Sequence, residues 1–188
     1  MGGALGYGEA MTFSAEDRTP PPVDADEAAT LTGFLNLQRD TMRWKCSGLT
    51  ADQLGATLSP TTMTLGGLLK HLAVVEAGWL NQFFAGGVVM PSWFGELDRE
   101  DPDWSFTSAS GVSADQLFAW FDESIAVSDR VIADALAGPD GLSALSEETD
   151  DGQRISLRWI LCHLIEEYAR HNGHADLLRQ SIDGETGE

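Results

Sequence analysis

Apolar residues recur along this chain at helical spacing in four long runs. The first opens near Asp24 or Asp26, either of which can cap a helix, and carries Leu31, Phe34, Leu35, Gln38 and Met42 before Gly48 ends it. Residues 50–63 form a connector with a turn of helix at 51–54. The second run extends from Thr64 to Ala85 with Leu65, Leu68, Leu72, Val75 and Trp79 on one stripe, and Gly86-Gly87 terminates it. The third opens on Ser113-Ala-Asp-Gln116, a capping box, and shows one face through Leu117, Phe121, Ser124, Ser128, Val131 and Ala135 until Gly138-Pro139. Ser156 caps the fourth, and Asp183-Gly184 ends it. Four amphipathic helices predict an all-α four-helix bundle over residues 26–188.

The connections are long for such a bundle. Residues 88–112 hold Trp93, Phe94, Trp104 and Phe106, which predict a loop that packs by its own aromatics over one end of the bundle. Residues 139–155 are polar and acidic, with a turn signal and a short hairpin at Asp150-Asp151-Gly152. Residues 1–25 are rich in Gly and Pro and predict an extended or disordered arm, with Tyr7 and Phe13 as apolar anchors.

The fourth helix departs from an ordinary core pattern. Ile160, Leu164, Glu167, His171, His174 and Leu178 fall on one stripe, because a helix turns every ~3.6 residues. The stripe opens and closes apolar, but its middle is a carboxylate and two imidazoles. Burying such groups unpaired is costly, so a partner is expected opposite them, and a divalent metal is the simplest. Glu167 and His171 lie one turn apart, as paired ligands on one helix do. A third ligand must come from another helix, and His71 is the only histidine outside the last one. Alone, His71 reads first as a residue at the edge of the core. Two imidazoles and a carboxylate leave coordination positions open, as a catalytic site requires, and suit Zn or Ni. His174 is either a fourth ligand or a support for His171. His163, one turn before Glu167, reads as a supporting or structural residue. The competing reading of the Glu167–His171 pair is a solvated surface pair.

Charge narrows the function. With 11 basic and 30 acidic residues the formal net charge is -19, which argues against nucleic acid and against anionic membranes. No apolar run is long enough to span a bilayer, and no signal-peptide pattern opens the chain. The two cysteines, Cys46 and Cys162, make no disulfide framework. A cytoplasmic location is expected.

Two blocks carry a family resemblance. LGGLLKHLAVVEAGWL at 65–80 and SLRWILCHLIEEYARHNGHADLLRQSIDGETGE at 156–188 resemble the DinB-like superfamily. Within it they are similar to a branch of uncharacterised actinobacterial proteins related to mycothiol-dependent maleylpyruvate isomerase and mycothiol S-transferases. The resemblance implies a four-helix bundle and a divalent metal on three side chains, which map to His71, Glu167 and His171. Many relatives have histidine where this chain has Glu167, and glutamine where it has His174. Several are homodimers. The implied chemistry is thiol activation: a metal lowers the pKa of a low-molecular-weight thiol, which then attacks a double bond, an epoxide or an activated halide. For that chemistry Trp79, Trp93 and Trp159 are candidate pocket walls, and Arg158 and Arg170 are candidates to orient a charged thiol.

Three functions therefore compete. The first is a metal-dependent thiol S-transferase or isomerase acting on a small electrophile. The second is a non-enzymatic metal-binding or dimeric interaction protein, which predicts no turnover with any thiol. The third is a metal hydrolase using the same open site, which predicts no consumption of thiol.

Overall fold

A computed structural model describes residues 13–187. Six α-helices follow in order: α1 (Glu27–Cys46), α2 (Ala51–Leu54), α3 (Leu65–Glu76), α4 (Trp104–Thr107), α5 (Ala114–Ala137) and α6 (Leu157–Asp183). The four long helices form the bundle. Among the described residues, β-pairing is limited to two isolated bridges, Leu145 with Ser156 and Asp150 with Gln153, the latter closing the expected acidic turn.

Each long helix starts where a short polar side chain satisfies an otherwise unpaired backbone N–H. Asp26 accepts from Ala29, Thr64 from Gly67, Ser113 from Gln116 and Ser156 from Trp159. Gly184 closes α6 in the left-handed region at φ 81°, where a side chain would be strained.

α3 does not end as an α-helix. It continues as a π-helix over Ala77–Phe84, with the Ala85 N–H donating to the Leu80 carbonyl at 3.1 Å. Buried positions here recur every fourth residue: Leu72, Glu76, Leu80, Phe84. Steps of four drift by about 40° per turn on an α-helix, and the wider π turn reduces that drift. The acidic connection then pairs with the helix end, as Glu147 and Glu148 donate their backbone N–H groups to the carbonyls of Phe84 and Phe83 at 2.9 and 3.1 Å.

α1 lies against α6 and α3, and α3 lies against α5 and α6. Leu35, Met42, Leu65, Leu68, Leu72, Leu80, Leu117, Phe121, Ile160 and Leu164 fill the core. On α1 the expected stripe needs correction: Phe34 remains 43 % exposed, and Arg39 turns inward with Leu35 and Met42. Arg39 is tolerated there because Glu76 of α3 is fully buried opposite it.

Residues 13–25 lie along α1. The Phe13 N–H donates to Ser47 Oγ at 3.1 Å, the Thr19 N–H donates to Asp40 Oδ2 at 3.0 Å, and the Arg18 guanidinium sits 4.7 Å from the Trp44 ring centroid. Tyr7, the other expected anchor, falls outside the described residues. No described helix is long and apolar enough to cross a membrane.

Candidate metal centre

The antiparallel approach of α3 and α6 brings His71 to the level of His171. Their ring centroids are 4.8 Å apart at 70°. One turn earlier on α6, Glu167 places Oε2 3.5 Å from His171 Nε2. One ligand atom from each of His71, Glu167 and His171 lies within 4.8 Å of the others. The three residues thus converge from two helices.

Burial decides the state of the imidazoles. It pushes the pKa of His71 down to about 4, with a further push from neighbouring His171. Burial also lowers His171, against the opposing pull of the Glu167 carboxylate. Both rings are therefore neutral near pH 7, each with one lone pair to give. Neutral imidazoles and a carboxylate are the donor set of an open Zn or Ni site, so these residues fit a divalent metal.

The 88–112 connection supplies the wall. Its one-turn helix α4 lays three consecutive residues on α3. Phe106 stacks on His71 at 4.4 Å between centroids and 19°. Ser105 Oγ lies 3.1 Å from His71 Nδ1. Trp104, with Trp120 of α5, flanks the Lys70 ammonium at 4.1 and 4.3 Å. Gly67, one turn before His71, allows this approach: a Cβ there would lie 3.3 Å from Phe106 Cδ1. Sequence reasoning placed Phe106 in an aromatic loop but missed Ser105, whose partner is 34 residues away.

His174 adjoins the cluster, its Nδ1 3.4 Å from His171 Nδ1. His163 lies between two carboxylates, 3.6 Å from Glu166 and 4.0 Å from Glu167. Trp159 stacks on it at 5.1 Å, and the Trp79 ring meets it edge-on at 4.8 Å. His163, Glu166 and Glu167 also place ligand atoms within 4.8 Å of one another. That group comes from one helix, and its Glu166 is exposed and bonded to Arg170 at 2.5 Å. The His71 group, with two neutral imidazoles from separate helices, is the better chelate.

The remaining expected residues lie elsewhere. Trp93 is buried against Phe94 and Trp120, and no ring contact joins it to an imidazole among the described residues. Arg158 pairs with Glu27 at 2.6 Å, nine residues before Glu167 and hence roughly 13 Å along the axis. Arg170 is one turn past Glu166 and points to it on the surface.

A cavity of about 550 Å³ shares Phe106 with the centre. Thr57, Thr62, Thr64, Thr107 and Ser110 give it hydroxyls, and Asp103 is the only charged residue on its wall among the described residues. The Mycothiol-S-transferase family matches residues 30–184, which includes every residue of the centre and the cavity. This chain belongs to that family. A comparison with curated proteins found no match. In this Mycothiol-S-transferase family member, Phe106 of the aromatic connection stacks on His71 and also lines the cavity.

Proposed function

We propose that this protein is a divalent-metal-dependent thiol S-transferase that joins a mycothiol-type thiol to a small electrophile. The observation that carries the reading is the convergence of His71, Glu167 and His171 ligand atoms within 4.8 Å from two helices, in a chain of this family. A bound cation would stabilise the thiolate over the thiol at neutral pH. The cosubstrate supplies the nucleophile: its S–H loses a proton, the sulfur forms an S–C bond, and a halide leaves or an opened epoxide oxygen takes up a proton.

This chain's own residues hold and shape the site. His71 and His171, kept neutral by burial, donate lone pairs, and Glu167 brings the negative charge. Phe106 shields His71 from water on one side. The hydroxyl-lined cavity receives the body of the thiol, and a wall whose described residues include no cation favours a neutral, hydroxylated body over one bearing carboxylates. Trp79 and Trp159, on the other flank of Glu167, offer an apolar surface to the electrophile.

Elemental analysis of untagged protein, wild type beside His171→Ala, tests the reading. Near one equivalent of Zn or Ni in wild type and little in the variant, with thiol consumed together with an electrophile, supports it. Absence of metal from both after incubation with Zn and Ni sinks it. Metal without turnover of any thiol would point to the non-enzymatic alternative.

A further inference from the structure

We propose that Ser105 is the positioning residue of the metal centre: its Oγ accepts the Nδ1 proton of His71 and so leaves Nε2 as the donor atom. The inference rests on the reading of His71 as a metal ligand.

A neutral imidazole carries one N–H and one lone pair, and the hydrogen bond on one side decides which nitrogen keeps which. His71 has its Nδ1 3.1 Å from Ser105 Oγ, a hydroxyl that is itself buried. An N–H at Nδ1 satisfies both groups and turns the lone pair to Nε2. His171 also presents Nδ1 to a neighbouring side chain. Its Nδ1 is 3.4 Å from His174, and its Nε2 faces Glu167 at 3.5 Å. Both rings therefore engage a neighbour through Nδ1, which leaves the Nε2 atoms for the space they share with Glu167.

The position of Ser105 is itself determined by its neighbours. A single helical turn such as α4 has no stability of its own. Trp104 anchors it over Lys70 at 4.1 Å, and Phe106 anchors it over His71 at 4.4 Å. Ser105, between them, is delivered to Nδ1 with little freedom. Groups that orient a histidine ligand in this way commonly change metal affinity by 10–100-fold when removed.

The test uses full-length Ser105→Ala, Ser105→Thr and Ser108→Ala. Ser108 lies on the same turn and bonds to the Trp104 carbonyl rather than to His71, so Ser108→Ala controls for loosening of α4. Two readouts are taken: Zn affinity by chelator competition, and the His71 tautomer of metal-free protein by long-range ¹⁵N–¹H correlation. Wild type should show Nδ1–H. Ser105→Ala should weaken Zn at least about tenfold and shift His71 toward Nε2–H, Ser105→Thr should restore both, and Ser108→Ala should change neither. An unchanged tautomer or an unchanged Zn affinity in Ser105→Ala overturns the proposal, as does an equal loss in Ser108→Ala. If wild type binds no metal, the ligand reading fails by itself, while the tautomer still decides the role of Ser105.

Discussion

Arg39 of α1 grips Glu76 of α3 inside the bundle, with its Nε donating to Glu76 Oε2 at 3.2 Å and its Nη2 to Oε1. The Tyr168 hydroxyl of α6 donates to the same carboxylate at 2.5 Å, and Asp129 of α5 accepts from Arg39 Nη1 at 2.8 Å. One network thus ties the four long helices together. Burial alone would depress the Arg39 pKa, but the charges of Glu76 and Asp129 hold it above its ordinary value. Burial and the neighbouring Glu76 push Tyr168 up, so its hydroxyl stays protonated and donates.

Removing Glu76 leaves buried Arg39 with only the half-exposed Asp129 as counter-charge, and removing the Tyr168 hydroxyl leaves the buried carboxylate one hydrogen bond short. Glu76→Leu is expected to cost about 3–5 kcal/mol, and Tyr168→Phe about 1–3 kcal/mol. Replacing the pair together, as Arg39→Met with Glu76→Leu, should recover much of the loss. Urea unfolding of the three variants decides the matter. A double variant no more stable than Glu76→Leu would mean that the ion pair is not the source of the cost.

Acid should loosen the metal-free protein. The folded-state pKa of His71 is lowered from 6.5 to about 4, so between those values the unfolded chain binds the extra proton. Stability therefore rises with pH across that window and is lost as pH falls through it. His171 is shifted in the same direction. Denaturant midpoints from pH 7 to pH 4 should fall more steeply in wild type than in His71→Phe. Parallel curves would show that the His71 imidazole is not held neutral by the fold.

Filling the cavity should affect the thiol and not the metal. Ser110 lies on the cavity wall and is exposed, so Ser110→Phe can occupy the space without disturbing the core. The KM for a mycothiol-type thiol is expected to rise about tenfold with kcat retained, while metal content stays at the wild-type level. An unchanged KM would move the thiol site away from this cavity.

The two cysteines should differ in reactivity. Cys46 is buried, and burial pushes its thiol up to about 12, whereas Cys162 is exposed. A thiolate-specific reagent should label one thiol in the native protein and two after denaturation. Two fast equivalents in the native state would place Cys46 within reach of solvent.

Helix identity was legible from sequence because its causes are local. Asp26, Thr64, Ser113 and Ser156 each accept from the N–H three residues on, and the apolar stripes follow the turn of the helix. The polar middle of the α6 stripe was visible for the same reason: Glu167 and His171 are neighbours along one helix. That His71 stands opposite them depended on how α3 docks on α6. Histidine scarcity pointed to it, but spacing within one helix carries no information about height on another. Three further features were decided by the tertiary structure alone. The π turn after Glu76 depends on which residues α3 must keep facing the core. The burial of Arg39 depends on Glu76 being carried in from α3, since neither charge is tolerable inside without the other. The delivery of Ser105 to His71 depends on Trp104 and Phe106 finding Lys70 and His71 across a long connection. Each is a contact between segments far apart in the chain, and the energy that selects it arises only when helices come together.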